Sequence, residues 1–145
     1  MANRNFTQFS YSLEKKMVSI CANFDGGGAG VNCSLLHWNG SSLVAAPSGG
    51  TRGVKSITRN GDGDYTFTMQ DNYQRLLDVS GSFLAKDGST TPLAVAYWIK
   101  SVSPGAAGGA TVRIITYLAT PGTPVSPGTN DRGYFCFTWS DSAAF

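Results

Sequence analysis

The stretch from Arg59 to Leu77 constrains the fold most. Asn60-Gly-Asp-Gly63 sets two overlapping Asx-Gly turn pairs in four residues, and behind them Tyr65, Phe67 and Met69 alternate with Thr66, Thr68 and Gln70. Turn residues followed by a strict two-residue period describe a hairpin whose second strand buries one face. The same rhythm recurs along the chain. Val18, Ile20, Ala22 and Phe24 alternate with Ser19, Cys21 and Asn23, and Phe135, Phe137 and Trp139 mark one face of a last strand running from Tyr134 to Ser140. Leu35 to Trp38 and Leu43 to Ala46, joined through Asn39-Gly40, read as a short hairpin. Leu77, Val79, Gly81, Phe83 and Ala85 form another run on one face. Leu93 to Val102 is apolar on both faces at first, the pattern of a central strand. In Ala110 to Ala119, Val112, Ile114 and Leu118 lie on one side, Ile115 and Tyr117 on the other.

About eight to ten short strands at this spacing, with no βαβ alternation, predict an all-β fold. The expected form is an antiparallel two-sheet sandwich of jelly-roll type, with a closed β-barrel as the alternative. At most one short helix is expected, near 71–77, where Asp71-Asn-Tyr-Gln74 matches a capping pattern and Tyr73, Leu76 and Leu77 have helical spacing. Residues 1–12 read as an extended N-terminal arm and 13–145 as one sandwich domain. Pro121, Pro124 and Pro127 predict a stiff connection without sheet pairing between Thr120 and Asp131.

The 145 residues are enough to bury roughly two-thirds of the unfolded chain's surface, so no covalent staple is required. Cys21, Cys33 and Cys136 form no Cys-x-x-Cys pair; Cys21 and Cys136 fall within strands, and all three are expected as buried thiols. Charged residues make up 14% of the chain, against roughly 25% in ordinary domains, which points to a surface partly covered by a partner. The eleven basic residues form no stripe, which disfavours nucleic acid. No stretch reaches the apolar length of a membrane span or a signal peptide, so a cytosolic origin is expected, in which the sequons beginning at Asn5, Asn32 and Asn39 carry no meaning.

No constellation announces chemistry. Gly26-Gly-Gly-Ala-Gly30 is followed by Val31-Asn32 where a phosphate loop needs Gly-Lys-Ser/Thr. Asn60, Asp62, Asp64 and Asp71 stand at EF-hand offsets, but Tyr65 occupies the glycine position and the intervening residues alternate as a strand. His37, the only histidine, sits beside Trp38 with no recognisable partner. The acidic residues are read mostly as turn residues, as in Asp25-Gly, Asp62-Gly and Asp87-Gly, where Asp has a local backbone role. The expectation is a non-enzymatic protein with no catalytic residue, no metal and no cofactor. Trp38, Trp98, Trp139 and the tyrosines could alternatively form a sugar-stacking platform, set against ordinary core packing.

Asp25-Gly-Gly-Gly-Ala-Gly-Val-Asn-Cys-Ser-Leu35 and the block from Val54 to Leu77 resemble small virion proteins of tailed bacteriophages, most closely the capsid cement, or decoration, proteins. The likeness covers roughly the first half to two-thirds of the chain and rests on turns and strands, so no catalytic residue carries over. It implies a jelly-roll-like domain on the outside of the capsid, made in the host cytoplasm, that spans and stabilises contacts between major capsid subunits. The major capsid protein and the chain itself are the implied partners, as a homodimer, the commonest closed symmetry, or a trimer. Phe6, Phe9, Tyr11 and Phe145 are the candidate capsid contacts. A carbohydrate-binding module, as a receptor-reading accessory or a lectin, is the alternative.

Overall fold

The computed structural model describes residues 17–26, 33–84, 95–105, 107–118 and 132–140. They form nine strands and, among them, no helix: β1 (Met17–Asp25), β2 (Ser34–Trp38), β3 (Leu43–Ala45), β4 (Val54–Gly61), β5 (Asp64–Met69), β6 (Arg75–Leu84), β7 (Val95–Ser103), β8 (Thr111–Leu118) and β9 (Arg132–Ser140). One sheet, A, has the order β3-β2-β1-β9-β6, and the other, B, the order β4-β5-β8-β7. Every pairing is antiparallel. The sheets stay open, so the fold is a two-sheet sandwich and not the barrel. The pair β1·β9 encloses β5·β8, which in turn encloses β6 and β7.

The alternating runs form the core. Phe24, Tyr65, Phe67, Met69, Phe135, Phe137 and Trp139 are buried between the sheets. The Phe24 ring lies 5.3 Å from both Tyr65 and Phe67, and 6.0 Å from Phe135, joining the sheets through aromatic edges. Two glycines make room for these rings. A Cβ on Gly133 would collide with Phe24, and one on Gly81 with Phe135. The Tyr65 hydroxyl donates to the Gly26 carbonyl at 3.0 Å, so this buried ring keeps its polar end satisfied.

Both sequence-encoded hairpins form. Asp62-Gly63 turns β4 into β5 with Gly63 at φ 66°, a left-handed conformation that favours glycine. In the β2–β3 loop the Asn39 side chain accepts from the backbone amides of Ser41 and Ser42 at 3.0 and 2.9 Å, and Gly40 takes φ 104°. A side chain thus replaces water as partner for the turn amides.

Three expectations need correction. The allowance of at most one short helix near 71–77 stands, with none formed there: residues 71–74 make a bend and β6 begins at Arg75. Tyr73 instead stacks on Trp139 at 5.6 Å, so tertiary packing outweighs the local capping pattern. Leu77 is exposed because β6 carries an irregularity between Leu76 and Asp78, which resets the two-residue phase and brings Val79 inward. β7 is an edge strand, not a central one: Tyr97 and Val102 pack against the core, Trp98 stands exposed on the outer face, and Ile99, on the inner side, is left partly open at the edge. Cys21 and Cys136 are joined in a disulfide. Alternation sends both to the outer side of sheet A, and the β1·β9 register sets them opposite each other, so each thiol meets its partner instead of the core. Cys33 is a half-buried free thiol, as expected, and burial pushes its pKa up. Ala85, Leu93 and the 120–131 connection lie outside the described residues.

Candidate interaction surfaces

Among the described residues, all four sheet edges are blunted. β3 has only three residues. β4 is interrupted at Lys55 and again at Asn60, β6 at Leu77 and β7 at Lys100. On β6 the Val79 carbonyl already accepts from the Tyr97 hydroxyl at 2.8 Å. Short edges, bulges and lysines are the devices by which sheets avoid pairing edge to edge with other chains. Among the described residues, these edges are poor templates for added strands, and the faces are the broader exposed surfaces.

On the outer face of sheet B, register places Asp64, Ile115 and Trp98 in one transverse row across β5, β8 and β7. Trp98 is 70% exposed. Beside this row Asp64, itself nearly buried, accepts both Nε and Nη2 of Arg113 at 2.7 Å. Lys100 reaches the same carboxylate at 3.3 Å and the Asn60 amide donates to it at 3.1 Å. The fork of Arg113 above all holds the Asp64 carboxyl down at about 2, against the usual 3.8. Because Lys100 is the extra residue of the β7 bulge, the bulge that disrupts the edge also aims an ammonium at Asp64. Two cations on one carboxylate leave this cluster with one net positive charge, next to a large exposed ring.

The outer face of sheet A differs in kind. Cys21–Cys136 spans its two central strands, and the Tyr134 hydroxyl donates to the Cys136 sulfur at 3.0 Å. Trp38 is 63% exposed at the end of β2, opposite Leu43, and Met17 and Tyr134 are also exposed. A recess of about 220 Å³ opens here, lined by Asp25, Ser34, Leu36, Leu43 and Arg132. A second, of about 180 Å³, lies where the β2–β3 unit meets β4, with Cys33, Leu35 and Ile57 in its wall.

These placements decide among the sequence candidates. Trp139 is a core residue, and Trp38 and Trp98 belong to different sheets, so the three tryptophans make no common platform. The EF-hand offsets resolve into a hairpin: Asp62 pairs with Arg59, Asp64 with Arg113 and Lys100, and the Asp71 carboxylate accepts from Tyr73. Among the described residues no three His, Cys, Asp or Glu side chains converge as metal ligands. His37 is half-buried, and among the described residues its Nδ1 has no hydrogen-bond partner. Most of the glycine-rich loop, together with Phe6, Phe9, Tyr11 and Phe145, lies outside the described residues. The Asp64–Arg113–Lys100 cluster escaped sequence reasoning; its only sequence signal is three charges on strands, at positions whose pairing is not written locally. No protein-family model, curated protein or solved structure matches this chain.

Proposed function

We propose that the chain is a non-enzymatic virion protein that decorates the outside of a tailed-bacteriophage capsid and stabilises the shell by docking a sheet face across major capsid subunits. The observation that carries this reading is the combination of four blunted edges with large side chains left exposed on broad sheet faces, Trp98 on one and Trp38 on the other. Tryptophan is enriched at protein–protein interfaces relative to the rest of a protein surface. A ligand that binds only the expanded shell stabilises it by mass action, and many copies on one lattice multiply modest contacts. Residues 1–11, with Phe6, Phe9 and Tyr11, extend the contact in this proposal, and a homodimer is its assembly unit. The fold suits the role through the nested β1·β9 and β5·β8 pairs, which tie together the first and last described strands and those between them.

Cosedimentation with emptied, expanded capsids lacking the chain tests the proposal, alongside mass measurement by light scattering. Saturable binding at a fixed ratio to capsid subunits, with a discrete oligomer in solution, supports it; a monomer that fails to bind refutes it. Deleting residues 1–11 weakens binding and leaves the fold intact if the arm contributes.

A carbohydrate-binding module is the second reading. It is favoured by Trp98 lying beside the donors of Lys100 and Arg113, since a ring face and adjacent charged donors can hold a sugar. Quenching of tryptophan fluorescence by glycans, abolished in Trp98→Ala, would move this reading to first place.

A further inference from the structure

The Cys21–Cys136 bond stands apart from the sulfur chemistry expected of this chain. Its half-cystines are 115 residues apart in sequence, yet they occupy directly opposed positions of β1 and β9, with Cα atoms 4.0 Å apart. Opposed residues of an antiparallel ladder stand about 4.5–5.5 Å apart, so the strand register itself brings the two sulfurs within bonding reach. The loop it closes contains every strand from β2 to β8. The bond lies on the outer face, with Cys21 exposed and Cys136 half-buried, so small molecules in the medium can reach it. Cys33 is half-buried, and burial raises its thiol pKa, which leaves it a poor competitor for exchange.

We propose that Cys21–Cys136 is a solvent-operated redox latch, a thiol–disulfide exchange site open in a thiol-rich medium and sealed by a small-molecule disulfide when the folded chain enters an oxidising one. The folded register brings the sulfurs together first, so sealing follows folding. In the sealing step the exposed Cys21 thiol loses its proton and attacks a disulfide RSSR. One S–S bond breaks, a mixed disulfide forms and RS⁻ leaves. The Cys136 thiolate then displaces the second RS⁻, and the two protons released by the cysteines leave with the two RSH molecules. Two electrons pass from the protein to RSSR. Excess RSH reverses both steps. Sealing constrains an unfolded chain that is otherwise free over a very long loop, which is where a cross-link acts most strongly in the chain-entropy account.

The test uses the full chain in native buffer, with alkylation and mass measurement to count free thiols and a thermal scan to read stability. With oxidised glutathione one alkylated cysteine, Cys33, is expected; with millimolar dithiothreitol and no denaturant, three. Reduction should lower Tm by about 6–15 °C, and restoring oxidised glutathione should restore it. Cys33→Ser should preserve that shift, whereas Cys21→Ser with Cys136→Ser should melt at the reduced value whatever the reductant. A disulfide that resists native reduction, a bond that engages Cys33, or a Tm unmoved within 2 °C would overturn the proposal. The reduced wild type keeps the test decisive even if the double variant does not fold.

Discussion

The two sheets reach similar order by different means. Sheet B is assembled largely from hairpin neighbours, β4 with β5 and β7 with β8, and its outer face is tied by a non-covalent network in which Asp64 gathers Arg113 and Lys100 from β8 and β7. Sheet A places the first and last described strands, β1 and β9, side by side at its centre, and its outer face is tied by a covalent bond. Long-range pairing forfeits more chain entropy than hairpin closure before its contacts form. A staple is thus most useful in sheet A, while local pairing and a charge cluster serve sheet B. The surfaces diverge accordingly: sheet B shows a ring beside net positive charge, and sheet A a recess beside a disulfide.

The largest expected effect lies where the sheets meet. Phe24→Ala should cost about 3–5 kcal/mol in denaturant unfolding, because it removes the ring that touches both sheets. Gly133→Ala should cost about 1–3 kcal/mol by forcing a Cβ into that same ring. Loss of the disulfide should cost about 2–4 kcal/mol, and hydrogen exchange should rise in β1 and β9 before β5 and β8. A uniform rise would break the contrast between the sheets. In sheet B, Asp64→Asn should cost about 1–2 kcal/mol, a figure reduced for the partly exposed cations. The pH dependence has a fixed sign. A carboxyl held at about 2 in the fold stabilises the protein above its unfolded value of 3.8, and that stability is lost as pH falls from 3.8 towards 2. Asp64→Asn should flatten the acid limb of the stability curve over that window. Trp98→Ala and Trp38→Ala should be the mildest, within about 0.5 kcal/mol of wild type, while weakening any face-mediated binding.

Local patterns made much of this legible. The buried faces of β1, β5 and β9 follow directly from residues such as Ile20, Phe67 and Phe137, because a two-residue period needs no knowledge of the partner strand. The Asn39-Gly40 and Asp62-Gly63 turns were equally readable from their chemistry. Leu77 was misplaced because one extra residue shifts the phase and nothing local announces it. The disulfide was missed for a related reason: alternation placed Cys21 and Cys136 on the polar sides of their strands, but only the β1·β9 register makes them neighbours. Asp64, Lys100 and Arg113 likewise come together through pairing across three strands. The candidate contacts Phe6, Phe9, Tyr11 and Phe145 came from the resemblance and from aromatic spacing, and they fall outside the described residues, whereas Trp98 became a candidate contact once β7 was found at an edge.

The most direct test of docking through the sheet faces is cosedimentation of the oxidised full chain with expanded capsids lacking it, beside folded Trp98→Ala and Trp38→Ala variants. The account predicts saturable binding of the wild type at a fixed ratio to capsid subunits, and at least a tenfold loss of affinity in one variant with its Tm unchanged. Absence of wild-type binding, or equal binding by all three proteins, would contradict it.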